Sequence, residues 1–298
     1  MSEHRRGGAA ALAAFLLWGG LSLYLKALAE VPAAEVLAYR ILGGLVVSLA
    51  ALAVSGGLGE LRELAGDRWR LRRLAASAVA IATNWGVFIW AVAHGRALEA
   101  SMGYFIFPLV TVVLARVVLG ERLGPRRWMA VGVVASGVVW LALTGGGFPW
   151  VALTLALCFA GYGLLRKTTP VSALGGLVVE AALLAPLAIL YLLLMKGGAA
   201  PHLGHATIGL LALAGPVTVV PLWLFTYGAR RVRLSTLGLM MYVNPTVQML
   251  VAVFVFGEPF TPAYGVAFAA IWAGLALYSW PERRICLPVP SADPAATG

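Results

Sequence analysis

Charged residues are scarce in this sequence: they make up 11% of its 298 residues, whereas about a quarter of an ordinary soluble domain is charged. Hydrophobic residues account for 61%, and the mean hydropathy is +0.90. This shortage of charge argues against a water-soluble enzyme or binding module. It predicts a protein whose solvent is the lipid bilayer.

Cysteine, aspartate and histidine are also sparse, which removes several chemistries. Cys158 lies in an apolar run and Cys286 near the end of the chain, so neither a disulfide framework nor a zinc spacing is present. The two aspartates, Asp67 and Asp293, lie outside the apolar runs and exclude a membrane aspartyl dyad, while His94 is the one histidine near a run. No phosphate-binding loop G-x-x-x-x-G-K-[ST] occurs, which disfavours primary active transport. The sequence therefore predicts no cofactor, no metal and no catalytic site.

Ten apolar runs are long enough to cross a membrane, which takes about 20 residues as a helix. The gaps between them leave no room for an extramembrane domain, and the longest, 55–73, has room for one surface amphipathic helix at most. We expect an all-α integral membrane protein, with the first run retained rather than cleaved as a signal peptide. The runs are approximately 8–28, 35–54, 74–93, 97–119, 128–144, 150–165, 174–195, 207–229, 234–256 and 262–280.

The basic residues are distributed unevenly along this pattern. The chain has 22 Lys and Arg against 12 Asp and Glu, a formal net charge of +10, which in a soluble protein would suggest a nucleic-acid partner. With the N-terminus inside, 17 of them fall in cytoplasmic segments and 3 in outer loops, while Arg40 and Arg116 lie within runs. The positive-inside rule then predicts cytoplasmic N- and C-termini in the inner membrane. The basic fringe is predicted to meet anionic lipid headgroups, not nucleic acid.

An internal repeat relates the two halves. Residues 98–143 align without gaps on residues 235–280 at an offset of 137, which matches Pro108 with Pro245 and each Gly-Glu pair with the other. A weaker match relates residues 18–26 to residues 159–167. Five runs per half is an odd number, so the second half enters the membrane from the opposite side, as in the inverted repeats of secondary transporters.

The predicted organisation follows from this repeat. Residues 8–144 form the first five-helix repeat and residues 149–281 the second, inverted one, and residues 282–298 are a short cytoplasmic tail that we expect to be disordered. The substrate site of such a protein lies between the halves near the middle of the membrane. The sequence assigns no oligomeric state.

Several short motifs then resemble a known family. The segments LGERL at 119–123 and FGEPF at 256–260, in a layout of five plus five runs, resemble the EamA domains of the drug/metabolite transporter superfamily. A closer resemblance, to the RarD subfamily, lies in the segments NWGVFIWAV at 84–92, EASMGYFIFPLV at 99–110 and GYGLLRK at 161–167. The sequence departs from that subfamily at His94 and Phe107, where asparagine is expected. The resemblance, over residues 8–281, implies an inner-membrane carrier for efflux of small metabolites or drugs. RarD-like proteins are associated with chloramphenicol sensitivity.

Two charges inside the runs are the main candidates for function, since each costs roughly 2.5–3.5 kcal/mol to insert. Arg40 lies in the second run and Glu180 in the seventh, and these helices correspond in the repeat. We expect the two side chains to meet as a pair or to form separate ends of a substrate cage, with a protonatable Glu180 suited to proton coupling. The alternatives are that Arg40 reaches the headgroups, as Arg116 can, and that Glu180 only packs.

Uncharged groups supply the remaining candidates. Asn84 and Asn244 lie deep in the third and ninth runs, where each amide needs a partner on a substrate or on a neighbouring helix. Pro108 and Pro245 each free a backbone carbonyl and are predicted hinges for alternating access, with packing as the alternative. Aromatic side chains near these positions, which either line a pocket for flat solutes or belong to the core and the interface, are Trp18, Trp85, Tyr104, Tyr162 and Tyr242.

The sequence thus favours a secondary transporter of a small-molecule substrate that works by alternating access. The alternatives are a channel, a membrane protein that transports nothing, and an intramembrane enzyme.

Overall fold

The computed structural model of the chain describes residues 3–120, 124–144, 147–195, 204–229, 231–232, 236 and 240–279. These residues are mostly helical. A π-helical segment, Val251–Val255, directly continues the α-helix that ends at Leu250. The helices are α1 (Glu3–Lys26), α2 (Ala33–Val54), α3 (Leu58–Gly66), α4 (Arg68–Ala93), α5 (Ala97–Leu119), α6 (Pro125–Thr144), α7 (Trp150–Lys167), α8 (Ala173–Leu194), α9 (His205–Ala212), α10 (Ala214–Ala229), α11 (Val243–Leu250) and α12 (Pro262–Ser279).

Nine segments in the described part of the chain are long and apolar enough to cross a membrane. They correspond to nine of the ten predicted runs. Within the remaining predicted run, 234–256, the structure has a shorter apolar helix, Val243–Val255. Several residues before this helix lie outside the described ranges, so the tenth span stays a prediction. The predicted tail, 282–298, also lies outside them.

Two details differ from a simple series of straight spans. The predicted run 207–229 is divided at Leu213 into α9 and α10. The gap 55–73 contains the short helix α3, as predicted, and then the first turn of α4, which begins before the predicted run at 74. Asp67 begins α4 by accepting hydrogen bonds from the amides of Trp69 and Arg70, the usual role of an aspartate N-cap.

The outer surface of the bundle is apolar. On α8, leucines spaced three or four residues apart form one exposed stripe along the helix. Each would lose roughly 1.5–3 kcal/mol of burial energy if it faced water, so the natural environment of this stripe is lipid. Its members are Leu183, Leu187, Leu190 and Leu194.

Small residues set the closest helix approaches. A Cβ atom added at Gly137 of α6 would lie 2.6 Å from Ala270 Cβ of α12, and one added at Gly274 of α12 would lie 2.5 Å from Val134 Cγ2 of α6. A Cβ atom added at Gly43 of α2 would lie 2.9 Å from the amide nitrogen of Gly215 in α10. These glycines allow the helices to pack closely.

The pattern of helix pairs agrees with the predicted repeat. The helix α6 packs on α12 and α2 packs on α8, while α1 packs on α10 as α4 packs on α7. Each pair either maps onto itself or onto another pair when the predicted halves are exchanged. The division into two inverted repeats remains a prediction, because residues 233–235 and 237–239 lie outside the described ranges.

Carboxylates from neighbouring segments satisfy buried helix ends. Glu258 accepts hydrogen bonds from the amides of Ala97 and Leu98 at the start of α5, at 2.8 and 2.7 Å. Glu99 likewise accepts one from Val151 near the start of α7, at 2.9 Å. Such caps are needed because the first amides of a helix have no partner within it. Gly257, just before Glu258, has φ +69, a left-handed conformation open to glycine.

Candidate substrate and coupling site

A narrow cavity lies between α2, α4 and α8. Arg40, Trp85 and Glu180 all face it, so the structure brings three of the predicted site residues together. The cavity has room for about one water molecule, so it is too small for a substrate in this conformation. Its remaining lining is Ile41, Gly44, Ile81, Leu177, Ala181 and Leu184.

The two buried charges occupy equivalent positions in their helices. The helices α2 and α8 each have 22 residues, and Arg40 and Glu180 are each the eighth. At a rise of 1.5 Å per residue, each lies about 10 Å from the start of its helix. Because the predicted topology sends these helices across the membrane in opposite directions, about 10 Å along the membrane normal separates the two positions. This placement fits separate ends of one site.

Arg40 is held by a hydroxyl and an indole. It is 3% exposed, its Nε donates to Thr218 Oγ1 at 3.3 Å, and its guanidinium carbon lies 4.7 Å from the centroid of the Trp85 ring. This is a cation–π contact, which helps to hold a desolvated guanidinium. Arg40 Nη1 is buried and has no hydrogen-bond partner among the described residues.

Glu180 is bound mainly through one carboxylate oxygen. It is 1% exposed, and its Oε1 accepts from Ser77 Oγ at 2.5 Å and lies 3.6 Å from Arg166 Nη1. Tyr162 is close enough for its hydroxyl to interact with the carboxylate. Within the described part of the chain, Glu180 Oε2 is buried and has no hydrogen-bond partner.

The sequence did not predict Arg166 as part of the site, since it counted this residue with the cytoplasmic fringe. The structure turns its side chain inward, where Nη2 donates to the carbonyls of Ser172 and Ala173 at 3.0 and 3.2 Å while Nη1 faces Glu180. The signal was the short connection between α7 and α8, which places the last turn of one helix beside the first turns of the next. Ser77 and Thr218 were missed as well, because single hydroxyls in apolar helices are common.

Asn84 joins three helices. Its Nδ2 donates to the carbonyl of Leu155 at 3.1 Å, and its Oδ1 accepts from the hydroxyl of Tyr104 at 3.0 Å. In this conformation both ends of the amide are bonded to protein. The contacts are those of the structural alternative, an interhelical hydrogen bond between α4, α5 and α7.

The candidates near α11 form a separate group. Asn244 Oδ1 accepts from Gln248 Nε2 at 2.8 Å, and the same nitrogen lies 3.4 Å from the carbonyl of Trp18. The Trp18 ring packs with Phe15 and Phe225 at centroid distances of 5.8 and 5.7 Å. Tyr242 packs against the main hydrophobic core. None of Asn244, Trp18 and Tyr242 is among the residues lining the cavity. Gln248 was not predicted, although it lies one helical turn after Asn244.

The two prolines have different surroundings. Pro108 lies inside α5, which continues on both sides of it, whereas Pro245 lies in the first turn of α11, directly after a turn at 241–242. A proline is tolerated in a first turn because its missing N–H would have had no partner there. Their role as hinges stays a prediction.

Arg116, at the end of α5, is exposed, and its Nη1 lies 3.5 Å from the carbonyl of Gly120.

A metal site is not formed by the described residues: no group of three or more His, Cys, Asp or Glu side chains comes together among them.

Comparisons with known proteins agree with this architecture. The model of the EamA-like transporter family matches residues 5–143. An uncharacterized transporter of Pseudomonas aeruginosa is 41% identical over 283 residues, which cover 94% of this chain and 95% of the relative. Protein RarD of Escherichia coli is 40% identical over 279 residues, 93% of this chain and 94% of the relative.

A more distant relative and a solved structure extend the comparison. The chloramphenicol-sensitive protein RarD of Pseudomonas aeruginosa is 32% identical over 283 residues, 92% of this chain and 93% of the relative. A crystal structure of another protein superposes with a TM-score of 0.60 at 22% identity, covering 95% of this chain and 99% of the other, which shows a shared fold. Identity of about 40% over nearly the whole chain shows more: the chain belongs to the EamA-like family of the drug/metabolite transporter superfamily, as a homologue of the RarD proteins, and is a multi-pass membrane transporter.

Proposed function

We propose that this protein is a secondary transporter of the inner membrane that exports small metabolites or drugs by alternating access, with Arg40 and Glu180 in its substrate and coupling site. The observation that carries the proposal is the cavity between α2, α4 and α8, which one buried cation and one buried carboxylate line together. Charges within membrane helices are costly and most often mark a transport pathway. The absence of an ion pair between Arg40 and Glu180 leaves each free to act separately.

Glu180 and Ser77 are arranged for a carboxyl group that gains and loses a proton. Ser77 Oγ lies 2.5 Å from Glu180 Oε1 and 3.0 Å from the carbonyl of Leu74, but a hydroxyl has a single proton to donate. When Glu180 is ionised, Ser77 can donate to it. When Glu180 is protonated, it can donate to Ser77, which then donates to Leu74. Both states therefore have a bonded partner, and this supports proton coupling at Glu180.

The packing of the bundle supports movement of its parts around this cavity. The helices α2 and α8 belong to different predicted halves and pack on each other, with Arg40 and Glu180 on their shared cavity. In inverted-repeat transporters one half rocks against the other around a fixed central site. In this scheme the protein must open for a substrate to enter, because the cavity has room for about one water molecule. Pro108 and Pro245 are the proposed bending points.

Transport is tested with the purified protein in proteoliposomes. Labelled chloramphenicol is the first probe, because the name of one relative refers to it, and solutes that differ between cells with and without the protein follow. A carrier will show saturable counterflow of at least one of these solutes. Current that does not saturate would indicate a channel instead, and no movement of any solute would contradict the proposal.

The predicted orientation has its own test. A reporter fused after Trp280 will read cytoplasmic if the chain crosses the membrane ten times with both termini inside. A periplasmic signal would overturn the span count.

A further inference from the structure

Arg40 forms no ion pair with Glu180, the carboxylate that lines the same cavity. Arg40 takes part in none of the salt bridges found among the described residues, and the carboxylate of Glu180 pairs with Arg166 instead. The phenols of Tyr104 and Tyr24 lie near enough to interact with Arg40 when ionised, but phenols are neutral at physiological pH. Glu35 lies on the same helix five residues earlier, about 140° around the axis from Arg40.

Burying a guanidinium without a counter-ion costs free energy unless a ligand supplies the missing partner. A buried charge is tolerated when it is paired and hydrogen-bonded. Thr218 and Trp85 contact Nε and the guanidinium group, while Nη1 is buried and has no protein acceptor in the described ranges. The missing component is an acceptor with a negative charge.

We infer that the substrates of this transporter carry a single carboxylate, which Arg40 binds, and an apolar body. The inference rests on the proposed transport function. A guanidinium binds a carboxylate by charge-assisted hydrogen bonds, and one cation balances one negative charge. A phosphate monoester, with a charge of about −1.5 to −2, would bring a second negative charge toward Glu180. The apolar body is received by aliphatic side chains, Ile41, Ile81, Leu177 and Leu184.

Binding is measured with the full-length protein in detergent, as the change in melting temperature followed by tryptophan fluorescence. The probes are matched acids and amides: acetate and acetamide, hexanoate and hexanamide, benzoate and benzamide. Inorganic phosphate and chloride are added as other anion sources. Arg40→Gln removes the proposed contact, Arg40→Lys keeps the charge without the planar fork, and Arg116→Gln is the matched control at an exposed arginine of another helix.

The inference expects at least one larger acid, hexanoate or benzoate, to raise the melting temperature of the wild type by about 2 °C or more, and its amide to have no effect. The shift is lost in Arg40→Gln, is reduced in Arg40→Lys and persists in Arg116→Gln. Equal shifts with phosphate or chloride, equal shifts with acid and amide, no shift with any acid, or an acid effect that survives in Arg40→Gln would overturn it. Should Arg40→Gln fail to fold, the reduced shift in Arg40→Lys decides: a shift equal to that of the wild type would overturn the inference.

This assay separates the inference from the function on which it rests. Acid-specific binding without transport in proteoliposomes would count against the proposed function alone. Saturable transport restricted to neutral or cationic solutes would count against the carboxylate alone.

Discussion

Arg40 and Glu180 line one cavity from the eighth position of two packed 22-residue helices, yet each has its own partners. Arg40 contacts Thr218 and Trp85, and Glu180 contacts Ser77 and Arg166. A direct ion pair would neutralise both charges and leave little for a substrate or a proton to do. In the proposed function, their separation assigns anion binding to one end of the cavity and proton exchange to the other.

The first prediction concerns Glu180. In Glu180→Gln the amide can still bond to Ser77 but cannot ionise, so the dependence of transport on pH will be lost while the protein remains folded and inserted. The measurement is solute counterflow in proteoliposomes across a pH series, with Glu30→Gln as control because Glu30 is exposed between α1 and α2. Full activity with an unchanged pH profile in Glu180→Gln would remove Glu180 from the mechanism.

The second prediction concerns Arg166, which the sequence placed outside the site. Removing one partner of a buried ion pair leaves the other charge unpaired and lowers stability by up to about 3–5 kcal/mol. The side chain of Arg166 is 16% exposed, so solvent reduces the expected loss of stability in Arg166→Gln to roughly 1–2 kcal/mol. The double variant with Glu180→Gln should recover most of that loss. A double-mutant cycle of unfolding in detergent measures the coupling. Additive losses would show that the two groups do not interact.

The third prediction uses two glycines of α6. A methyl group at Gly137 would meet Ala270 Cβ at 2.6 Å, whereas one at Gly132 would meet nothing within 4 Å. Gly137→Ala will therefore lower stability by about 1–3 kcal/mol through overpacking. Gly132→Ala will be neutral or stabilising by up to about 1 kcal/mol, because alanine favours helix. Melting temperatures of the two variants provide the comparison, and similar values would argue against the close approach of α6 and α12.

The sequence predicted the helices better than the contacts between their side chains. Hydrophobic runs located nine spans, because the bilayer imposes length and apolarity on each segment separately. The burial cost of a charge singled out Arg40 and Glu180. The contact of Arg166 with Glu180 was missed because the positive-inside rule assigns a residue to a side of the membrane and does not say which way its side chain turns. The break at Leu213 did have a signal that the prediction of one continuous run overlooked. Gly215-Pro216 follows it, and Pro216 has no amide to donate to the carbonyl of Ala212.

Polar pairs show the same limit. The sequence identified Asn84 and Tyr104 as candidates for substrate contact, but their hydrogen bond to each other depends on the packing of α4 on α5. Whether an amide in a membrane helix faces a substrate or another helix is decided by neighbours that are distant in sequence. The hydrophobic pattern records only which face is apolar.

The last prediction concerns the Gly-Glu pair that ends the predicted ninth span. Glu258 is 9% exposed and caps α5 through the amides of Ala97 and Leu98, where a negative charge also interacts favourably with the helix dipole. Glu258→Ala leaves both amides without their acceptor and will destabilise the protein by about 2–4 kcal/mol. Glu258→Gln keeps one carbonyl oxygen and will lose roughly half as much.

Thermal unfolding in detergent checks this order, with Glu30→Ala as the exposed control. The cap ties the segment after the predicted ninth span, in one half, to the start of α5 in the other. Its loss will also separate stability from site chemistry, because the acid selectivity assigned to Arg40 should persist in Glu258→Gln. A melting temperature of Glu258→Ala equal to that of Glu30→Ala would contradict the capping role. A change in acid selectivity in Glu258→Gln would instead show that the cap and the cavity are coupled.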